Sequence, residues 1–280
     1  MVCVIDTATL SVTATIDGLS EPYAAVVVGD RAYVSAASNA EDAVVAVDTR
    51  AGTALAAKTF DMSIGGLAVS PAGGVLYVAR TGEDAVDIAV IDVESGSVRS
   101  IAVPAAPGAA IGPVRINADG TRLFAALTTA VGDTLAIVDT NTRAVKATVS
   151  IAGSISDIAV MPNGRTVFAT GCDAEFGGAV HVIDVAGARV TDTISMGGVP
   201  TQLVLGRGGA CAYIVDRDEI VVMCTATTEI IDSVVIGPQL SCLAADPVRN
   251  RLYAADYKGA ITAVRLDPAA QRPQLAVAAS

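Results

Sequence analysis

The chain has 280 residues, and 52% of them are apolar. The apolar residues occur in runs of about four to six, whereas a membrane helix needs roughly eighteen or more in succession, so no membrane insertion is expected. A net charge of −11 without clustered Lys or Arg disfavours a nucleic-acid partner and favours a cation or a basic protein partner.

The N-terminal sequence and the cysteines bear on the compartment. Residues 1–6 have neither a basic region nor a long apolar stretch, which predicts no secretory signal peptide in this sequence. Five Cys without CxxC spacing argue against haem attachment and against a Cys-based zinc site. The localisation is open: either the protein stays in the cytoplasm, or the sequence is a domain of a longer chain that is placed in the cell envelope or outside the cell.

One motif recurs from end to end: an apolar strand that closes with Asp and a polar turn. The closing position returns at intervals of about 40 to 47 residues, which is the range of a propeller repeat. In two weaker copies, at 219–225 and 260–266, Cys224 and Leu266 replace the Asp. The clear copies lie at residues 2–7, 43–49, 87–93, 134–140 and 178–185.

Each period contains four short strands, which we name A to D in chain order, with A expected nearest a central channel. The strands are rich in Val, Ile and Thr, and Pro, Gly, Asn and Asp separate them. Without a convincing helical period, this pattern predicts an all-β chain, a β-propeller of four-stranded antiparallel blades. The A strands are predicted to begin near Pro22, Ile64, Gly112, Ile155, Pro200 and Leu240.

The strand count predicts how the blades follow one another. Six A and six B strands accompany seven C and seven D strands, of which residues 11–16 form the first D strand and a weak segment at 275–278 the last. Residues 1–280 are therefore predicted to form one propeller domain, with a C–D hairpin in a partial repeat at 1–21. The full repeats are assigned to residues 22–63, 64–111, 112–154, 155–199, 200–239 and 240–280.

Two segments carry a family resemblance: Ser70-Pro-Ala-Gly-Gly-Val-Leu-Tyr-Val-Ala79 and Ile88-Ala-Val-Ile-Asp92. They are similar to the YVTN repeat of bacterial and archaeal surface-layer propellers, which is related to WD40-type repeats. The resemblance covers nearly the whole chain and carries no catalytic motif. It implies a seven-bladed plan and a role at the cell surface or envelope. A six-bladed ring with a spare N-terminal hairpin is the alternative.

The repeated Asp residues look like a catalytic series, but their setting indicates a structural role. An Asp followed by a short polar segment turns the chain by accepting hydrogen bonds from backbone amides. The residues concerned are Asp6, Asp48, Asp92, Asp139 and Asp184.

The B–C loops are acidic, and propellers commonly bind on the face where the B–C and D–A loops meet. This predicts an acidic binding face for a protein partner or a cation; the alternative is a solvated surface that keeps an apolar protein soluble. Phe176 lies among acids and glycines and is either an exposed contact or a side chain packed over its blade. The candidate acids are Glu41, Asp42, Glu83, Asp84, Asp133, Asp173, Glu175, Asp216, Asp218, Glu219 and Asp256.

Converging carboxylates suit Ca²⁺, which takes about six to eight oxygen ligands, so calcium is the one cofactor that the sequence suggests. If these loops bind calcium, titration calorimetry will register heat and calcium will raise the melting temperature. The absence of both effects would remove the metal hypothesis.

Few residues are candidates for catalysis. His181 is the only His, and its counterparts in the other repeats are small or apolar, which predicts a core position between packed blades. Arg115 is a charge in an A strand, where a structural ion pair is favoured. The chain also resembles propeller lactonases, which work from carboxylate and Arg groups around a central channel; for that alternative Arg115 and Asp157 are the channel-side candidates.

The spacing of two cysteines predicts a contact. If residues 217 and 218 form the B–C turn of their repeat, Cys211 and Cys224 face each other in a non-hydrogen-bonded pair within disulfide reach. A bond between them is expected only in an oxidising compartment.

These features favour a non-enzymatic binding or scaffold protein over an enzyme. No nucleophile and base pair, phosphate-binding loop or metal-ligand cluster is visible in the sequence. Function cannot be taken from a propeller fold alone, and the sequence gives no oligomeric state.

Overall fold

The regular secondary structure of the chain is β-strand. The computed structural model describes residues 1–38, 41–266 and 275–278, the last as a backbone strand only. The only other regular element in these ranges is a 3₁₀ turn at Arg207–Gly209. Two compact units are formed, Met1–Ser150 and Ile151–Ser280. The predicted all-β class is confirmed.

The first unit contains one hairpin and three four-stranded sheets, and all its strand pairs are antiparallel. Within each sheet the strands follow chain order. The elements are β1 (Val2–Ile5) and β2 (Val12–Ile16) in the hairpin, then β3 (Pro22–Val28), β4 (Arg31–Ala36), β5 (Asp42–Asp48) and β6 (Thr53–Phe60), then β7 (Ser63–Val69), β8 (Val75–Thr81), β9 (Val86–Asp92) and β10 (Val98–Val103), then β11 (Ala110–Ile116), β12 (Arg122–Thr128), β13 (Thr134–Asp139) and β14 (Ala144–Ser150).

The second unit contains three more sheets of the same kind. The elements are β15 (Gly153–Val160), β16 (Thr166–Asp173), β17 (Gly177–Asp184) and β18 (Arg189–Ser195), then β19 (Pro200–Leu205), β20 (Cys211–Asp216), β21 (Glu219–Cys224) and β22 (Ile230–Val235), then β23 (Leu240–Asp246), β24 (Arg251–Asp256), β25 (Ile261–Leu266) and β26 (Leu275–Ala278). In the described part of the chain, six A–B–C–D sheets therefore follow one C–D hairpin, as the sequence predicts.

Successive sheets within a unit meet through their A strands. β7 lies against both β3 and β11 in the first unit, and β19 lies against both β15 and β23 in the second. The register of every A strand shifts by a bulge near its start, as between Ile64 and Gly66 or between Pro200 and Gln202. A bulge bends a strand and increases its twist, which suits a strand that packs beside another sheet.

The residue that ends the A-strand bulge connects neighbouring sheets. Asp157 accepts a hydrogen bond from the backbone N–H of Leu203 at 3.2 Å, and Gln202 accepts one from Leu243 at 2.5 Å. In β7 the same position is Gly66, where a Cβ atom would lie only 2.7 Å from the carbonyl oxygen of Gly112. The sheets therefore approach at backbone distance or share a polar side chain.

Apolar side chains fill the space between sheets on both faces. In the first unit one cluster runs from β7 to β14 and contains the fully buried Ile88, Val114 and Leu123. In the second unit a cluster joins β20 and β21 to β23, β24 and β25 and contains Ile220 and Leu252. These strands are enriched in β-branched residues because such side chains pack well on a pleated surface with two buried faces.

The Asp residues that end the C strands close their turns, as the sequence predicts. Asp48 accepts hydrogen bonds from the N–H groups of Arg50 and Ala51 at 2.9 and 2.8 Å. Asp139 accepts from both the N–H and the hydroxyl of Thr142 at 2.7 and 2.9 Å. These bonds hold the pKa of Asp139 below its ordinary value, and the bond from the Thr142 amide has the largest effect.

The residue four positions after the repeated Asp has a positive φ in each of these turns. The N–H of that residue donates to the Asp carbonyl oxygen in several of them, for instance from Gly96 to Asp92 at 2.8 Å. The left-handed conformation is unstrained only for glycine. The residues in this position are Leu10, Gly52, Gly96, Arg143 and Ala188, with φ between 47 and 68°.

We expect glycine exchange at this position to change stability in opposite directions in two turns. Gly96→Ala will lower the free energy of unfolding by about 1 kcal/mol, since a Cβ there meets open space but the left-handed backbone is strained. Arg143→Gly relieves this strain and will raise the free energy of unfolding by up to about 1 kcal/mol. Part of this gain is offset because glycine gives the unfolded chain more conformational entropy. Urea denaturation measures both free energies of unfolding. Changes of the same sign would contradict the view that the left-handed backbone at this position favours glycine.

The hydrogen bond between sheets at Gln202 gives a second prediction. Gln202→Met keeps the length of the side chain but leaves the Leu243 N–H without its acceptor, so the free energy of unfolding is expected to fall by about 1–3 kcal/mol. Gln202→Glu retains an oxygen in the same place and is the control. Equal losses in the two variants would show that the acceptor atom is not what matters.

Candidate functional site

The candidate site lies at one end of the sheets, where the B–C hairpins and the connections from a D strand to the next A strand are found. Antiparallel strands reverse at every turn, so these two kinds of loop always share an end. A cavity opens at this end in each unit.

The cavity of the first unit has a volume of about 580 Å³ and lies where β3 and β7 begin and β4 ends. Among the described residues that line it, the carboxylates are Glu21 and Asp42, and none of the side chains is basic. Asp42 accepts a hydrogen bond from the N–H of Ile64 at 2.8 Å and thereby fixes the start of β7. Tyr23, which is 72% exposed, also lines the cavity.

The cavity of the second unit has a volume of about 330 Å³ and lies between residues 196–198 and the hairpin 216–219. The buried Asp216 accepts a hydrogen bond from the N–H of Val199 at 2.7 Å. Gly198 packs so closely on this carboxylate that a Cβ atom would collide with it. Asp218, Glu219 and Arg217 complete the charged part of the lining.

The predicted acids differ in their contacts and in their exposure. Several use an oxygen to fix nearby backbone: Asp218 accepts from the N–H of Gln239 at 3.0 Å, and Asp256 accepts from Lys258 and Ala260 at 2.8 Å. The solvent-exposed acids carry the charge that a partner could reach. The exposed residues are Glu41, Glu83, Asp84, Glu175 and Asp218; Asp42, Asp173, Glu219 and Asp256 are half-buried; and Asp133 and Asp216 are buried.

Phe176 lies in the long B–C loop between β16 and β17 and is 46% exposed. Asp173 shapes this loop, because its carboxylate accepts the N–H groups of Glu175 at 2.8 Å and of Phe176 at 3.1 Å. The ring is thus presented at the same end of its sheet as the acidic hairpins, and it is available as a contact.

His181 is only 2% exposed on the C strand β17. Its Nδ1 shares a hydrogen bond with the hydroxyl of Thr193 at 3.1 Å, and its Nε2 lies 4.0 Å from a carboxylate oxygen of Asp173. Burial lowers the pKa of His181, and the charge of Asp173 offsets part of this shift. The residue is a core histidine, in agreement with its apolar counterparts in the other repeats.

The two residues nominated for hydrolase chemistry lie in different units. Arg115, on β11, is half-buried, and its guanidinium donates to the carbonyl oxygen of Val114 at 3.1 Å. Asp157, on β15, is buried, and its carboxylate accepts the Leu203 N–H described above. Their catalytic role stays a prediction.

Cys211 and Cys224 are directly paired across β20 and β21, and both are free and half-buried. They lie at the opposite end of their sheet from the second cavity, next to the A–B and C–D turns. The sequence locates this pair because the two-residue turn at 217 and 218 fixes the register.

Among the described residues, no group of three or more His, Cys, Asp or Glu side chains could hold a metal ion. The calcium hypothesis of the sequence analysis stays a prediction. No helix in the same ranges has the length and hydrophobicity needed to cross a membrane.

Sequence reasoning missed the contribution of the D–A connections. Met196, Gly197, Gly198 and Val235 line the second cavity, and Glu21, Tyr23 and Ser63 line the first. The one sequence signal for this contribution is the Gly-Gly-Val-Pro segment at 197–200, because two successive glycines indicate that the backbone lies close to a neighbouring group.

Comparison with known proteins supports the same fold. No protein-family model matches the chain. In solved structures, the chain is similar to Kuenenia stuttgartiensis hydrazine synthase, with a TM-score of 0.74, 17% identity, and coverage of 90% of this chain and 79% of that one. It is also similar to the Cps50 (Swd1) β-propeller domain of Myceliophteria thermophila, with a TM-score of 0.72, 15% identity, and coverage of 92% and 87%. At these identities the likeness concerns the fold alone.

A curated relative is more informative. The chain is 30% identical, over 297 aligned residues, to the seven-bladed beta-propeller protein Rv1057 of Mycobacterium tuberculosis. The alignment covers 93% of this chain and 75% of the relative. The repeated four-stranded sheets and this sequence similarity together show that the chain belongs to the β-propeller family of this seven-bladed relative.

Proposed function

We propose that the chain is a non-enzymatic binding propeller, and that its B–C and D–A loops receive a basic segment of a protein partner. The observation that carries this proposal is the recurrence of the cavities: in each unit the opening lies between the same two kinds of loop and has a carboxylate lining. Loops on a rigid strand scaffold are a common place for binding residues.

The second cavity shows which partner chemistry fits. The exposed Asp218 and the half-buried Glu219 supply negative charge beside one Arg, and the adjoining Val199 and Val235 expose apolar surface. An Arg or Lys side chain has an apolar stem and a charged head, so it can contact both kinds of surface at once. The net charge of −11 adds a field that attracts such a segment.

The YVTN-like repeats support a place for this activity at a bacterial cell surface or envelope. A relative from Mycobacterium tuberculosis fits a bacterial setting. An envelope protein that binds a basic partner through exposed loops requires no catalytic group, and this agrees with a sequence in which no catalytic motif is recognisable.

The hydrolase alternative is less well supported. Asp157, its proposed carboxylate, is buried and contributes a hydrogen bond that ties β15 to β19. That contact gives Asp157 a packing role in its unit, as Gln202 has at the next A strand. The binding function therefore accounts for more of the described residues.

Titration with a short oligoarginine peptide tests the proposal. The double variant Asp218→Asn and Glu219→Gln removes two charges from the second cavity but keeps the oxygen that accepts the Gln239 N–H. We expect its affinity for the peptide to fall by up to about fivefold per charge, the effect of an exposed ion pair, and we expect added salt to reduce this difference.

A matched control removes two charges from the other end of the sheets. Glu94→Gln and Glu229→Gln alter acids of two C–D turns and leave the cavities intact. This double variant is expected to bind the peptide almost as the unchanged protein does. Equal losses in the two double variants would mean that only the net charge attracts the peptide, and the loop face would lose its special role.

A further inference from the structure

The cysteine pair of β20 and β21 has a geometry suited to chemistry. Cys211 and Cys224 are paired in the register, and the neighbouring pair is joined by a hydrogen bond from the N–H of Thr225 to the carbonyl oxygen of Ala210 at 3.1 Å. Hydrogen-bonded and non-hydrogen-bonded pairs alternate, so the cysteines form a non-hydrogen-bonded pair, whose Cα atoms are typically about 4.5 Å apart. That separation falls within the range of about 4.4–6.8 Å that a disulfide spans.

The turn that follows Cys224 is the same turn that holds a carboxylate in other repeats. The backbone N–H of Cys224 donates to the carbonyl oxygen of Glu229 at 2.9 Å, and the carbonyl oxygen of Cys224 accepts the Thr228 N–H at 2.8 Å. Asp92 makes the same two backbone bonds with Ser97 and Gly96, at 3.0 and 2.8 Å. The residue four positions on is again left-handed, with φ of 59° at Thr228. The C–D turn thus provides a cradle for an anion, and in this repeat the cradle contains a thiol.

The two thiols differ in their surroundings. The hydroxyl of Thr227, followed by its amide and that of Ala226, lowers the pKa of Cys224, and burial and the charge of Glu229 offset part of this shift. Burial raises the pKa of Cys211, and the proximity of Cys224 adds to this shift. A thiolate is the reactive form of cysteine, so Cys224 is fitted to attack first and Cys211 to complete a second step.

The remaining cysteines have no such partner. Cys3 is paired with Thr15, Cys172 with Ser154 and Gly178, and Cys242 with Ala255. All three are exposed single thiols, which makes them useful comparisons for the pair.

We propose that Cys211 and Cys224 form a thiol–disulfide exchange site that reacts with small disulfide compounds, with Cys224 as the attacking residue and Cys211 as the resolving residue. The site lies at the end of its sheet opposite to the proposed binding face, and it does not depend on the function proposed for that face.

The reaction proceeds in two balanced steps. The Cys224 thiolate attacks one sulfur of the disulfide compound; a bond forms between them, the compound's S–S bond breaks, and one thiolate leaves and takes up a proton. Cys211 then loses its proton and attacks Cys224 Sγ, which breaks the mixed disulfide and releases the second thiol. The protein is oxidised by two electrons and the compound is reduced to two thiols.

The experiment uses a chain in which the three single cysteines are changed, Cys3→Ser, Cys172→Ser and Cys242→Ser, with oxidised glutathione as the probe. Trypsin separates the pair into peptides 208–217 and 218–249, so a cross-linked product is recognised directly by mass. We expect these two peptides to become linked, no glutathione to remain on the protein, and two reduced glutathione molecules to be released per chain.

Single variants of the pair distinguish the two roles. With Cys211→Ser the reaction is expected to stop at a stable glutathione adduct on Cys224. With Cys224→Ser the uptake of glutathione by Cys211 is expected to be at least several-fold slower. Failure of the peptides to link, or equal rates in the two variants, would overturn the proposal. Near-identical circular dichroism spectra will verify that the variants are folded.

The cradle itself is tested with a matched pair of threonines. Thr227 lies three residues after Cys224, as Thr142 lies three residues after Asp139. Thr142 donates to Asp139, and Thr227, whose hydroxyl donates to the Glu229 carboxylate at 3.2 Å, lowers the pKa of Cys224. In the Cys211→Ser chain, Thr227→Val is expected to slow adduct formation at neutral pH several-fold, whereas Thr142→Val will leave the rate unchanged. Equal rates in all three proteins would show that the turn does not activate Cys224.

Discussion

Burial of both faces of the central strands is the constraint on which the rest of the structure depends. All interior residues of β12 and β13 in the first unit, and of β20 and β21 in the second, are buried. A polar atom buried in such a strand is costly unless it is hydrogen-bonded; on β17 the Nδ1 of His181 is paired with Thr193. Charged and reactive groups are consequently concentrated at the strand ends, where both the cavities and the cysteine pair are found.

The repeat makes departures from its own pattern informative. Most C strands end in Asp, and Cys224 stands in the same turn with the same backbone hydrogen bonds. A thiol there inherits surroundings that suit a negative charge, which no inspection of Cys224 alone would reveal. Comparing the same position in several repeats shows which residues the turn accepts, because each blade provides a separate example of that position.

Much of the fold could be predicted from the sequence because its signals are local. Strand ends, the hairpin before the first sheet, and the contact between Cys211 and Cys224 follow from turn residues and alternation, and a two-residue turn leaves only one register. His181 could be recognised as buried from its apolar counterparts. These features depend on residues that are close in the chain or related by the repeat.

The site was predicted less completely because it depends on how loops meet. The sequence shows which loops are acidic. It does not show that the carboxylate of Asp216 accepts a hydrogen bond from the Val199 N–H or that Gly198 packs against this carboxylate. The A-strand bulges are also hidden, since an extra residue in one strand leaves no mark on its apolar pattern. A hairpin and the connection that contacts it have no common periodicity in the sequence, so the sequence does not indicate that they meet.

The uniform path of the C–D turns has a consequence for how such proteins diversify. The backbone follows one route whether a carboxylate or a thiol occupies the cradle, and whether the left-handed residue is Gly, Arg or Thr. The surroundings of the turns differ, however: a Cβ atom at Gly52 would collide with Ala14, whereas one at Gly96 meets open space. We therefore expect a segment of about six residues to be exchangeable between blades only where the turn is open to solvent. After duplication of an ancestral blade, mutation at a single such position can introduce new reactivity into a scaffold whose stability is already secured.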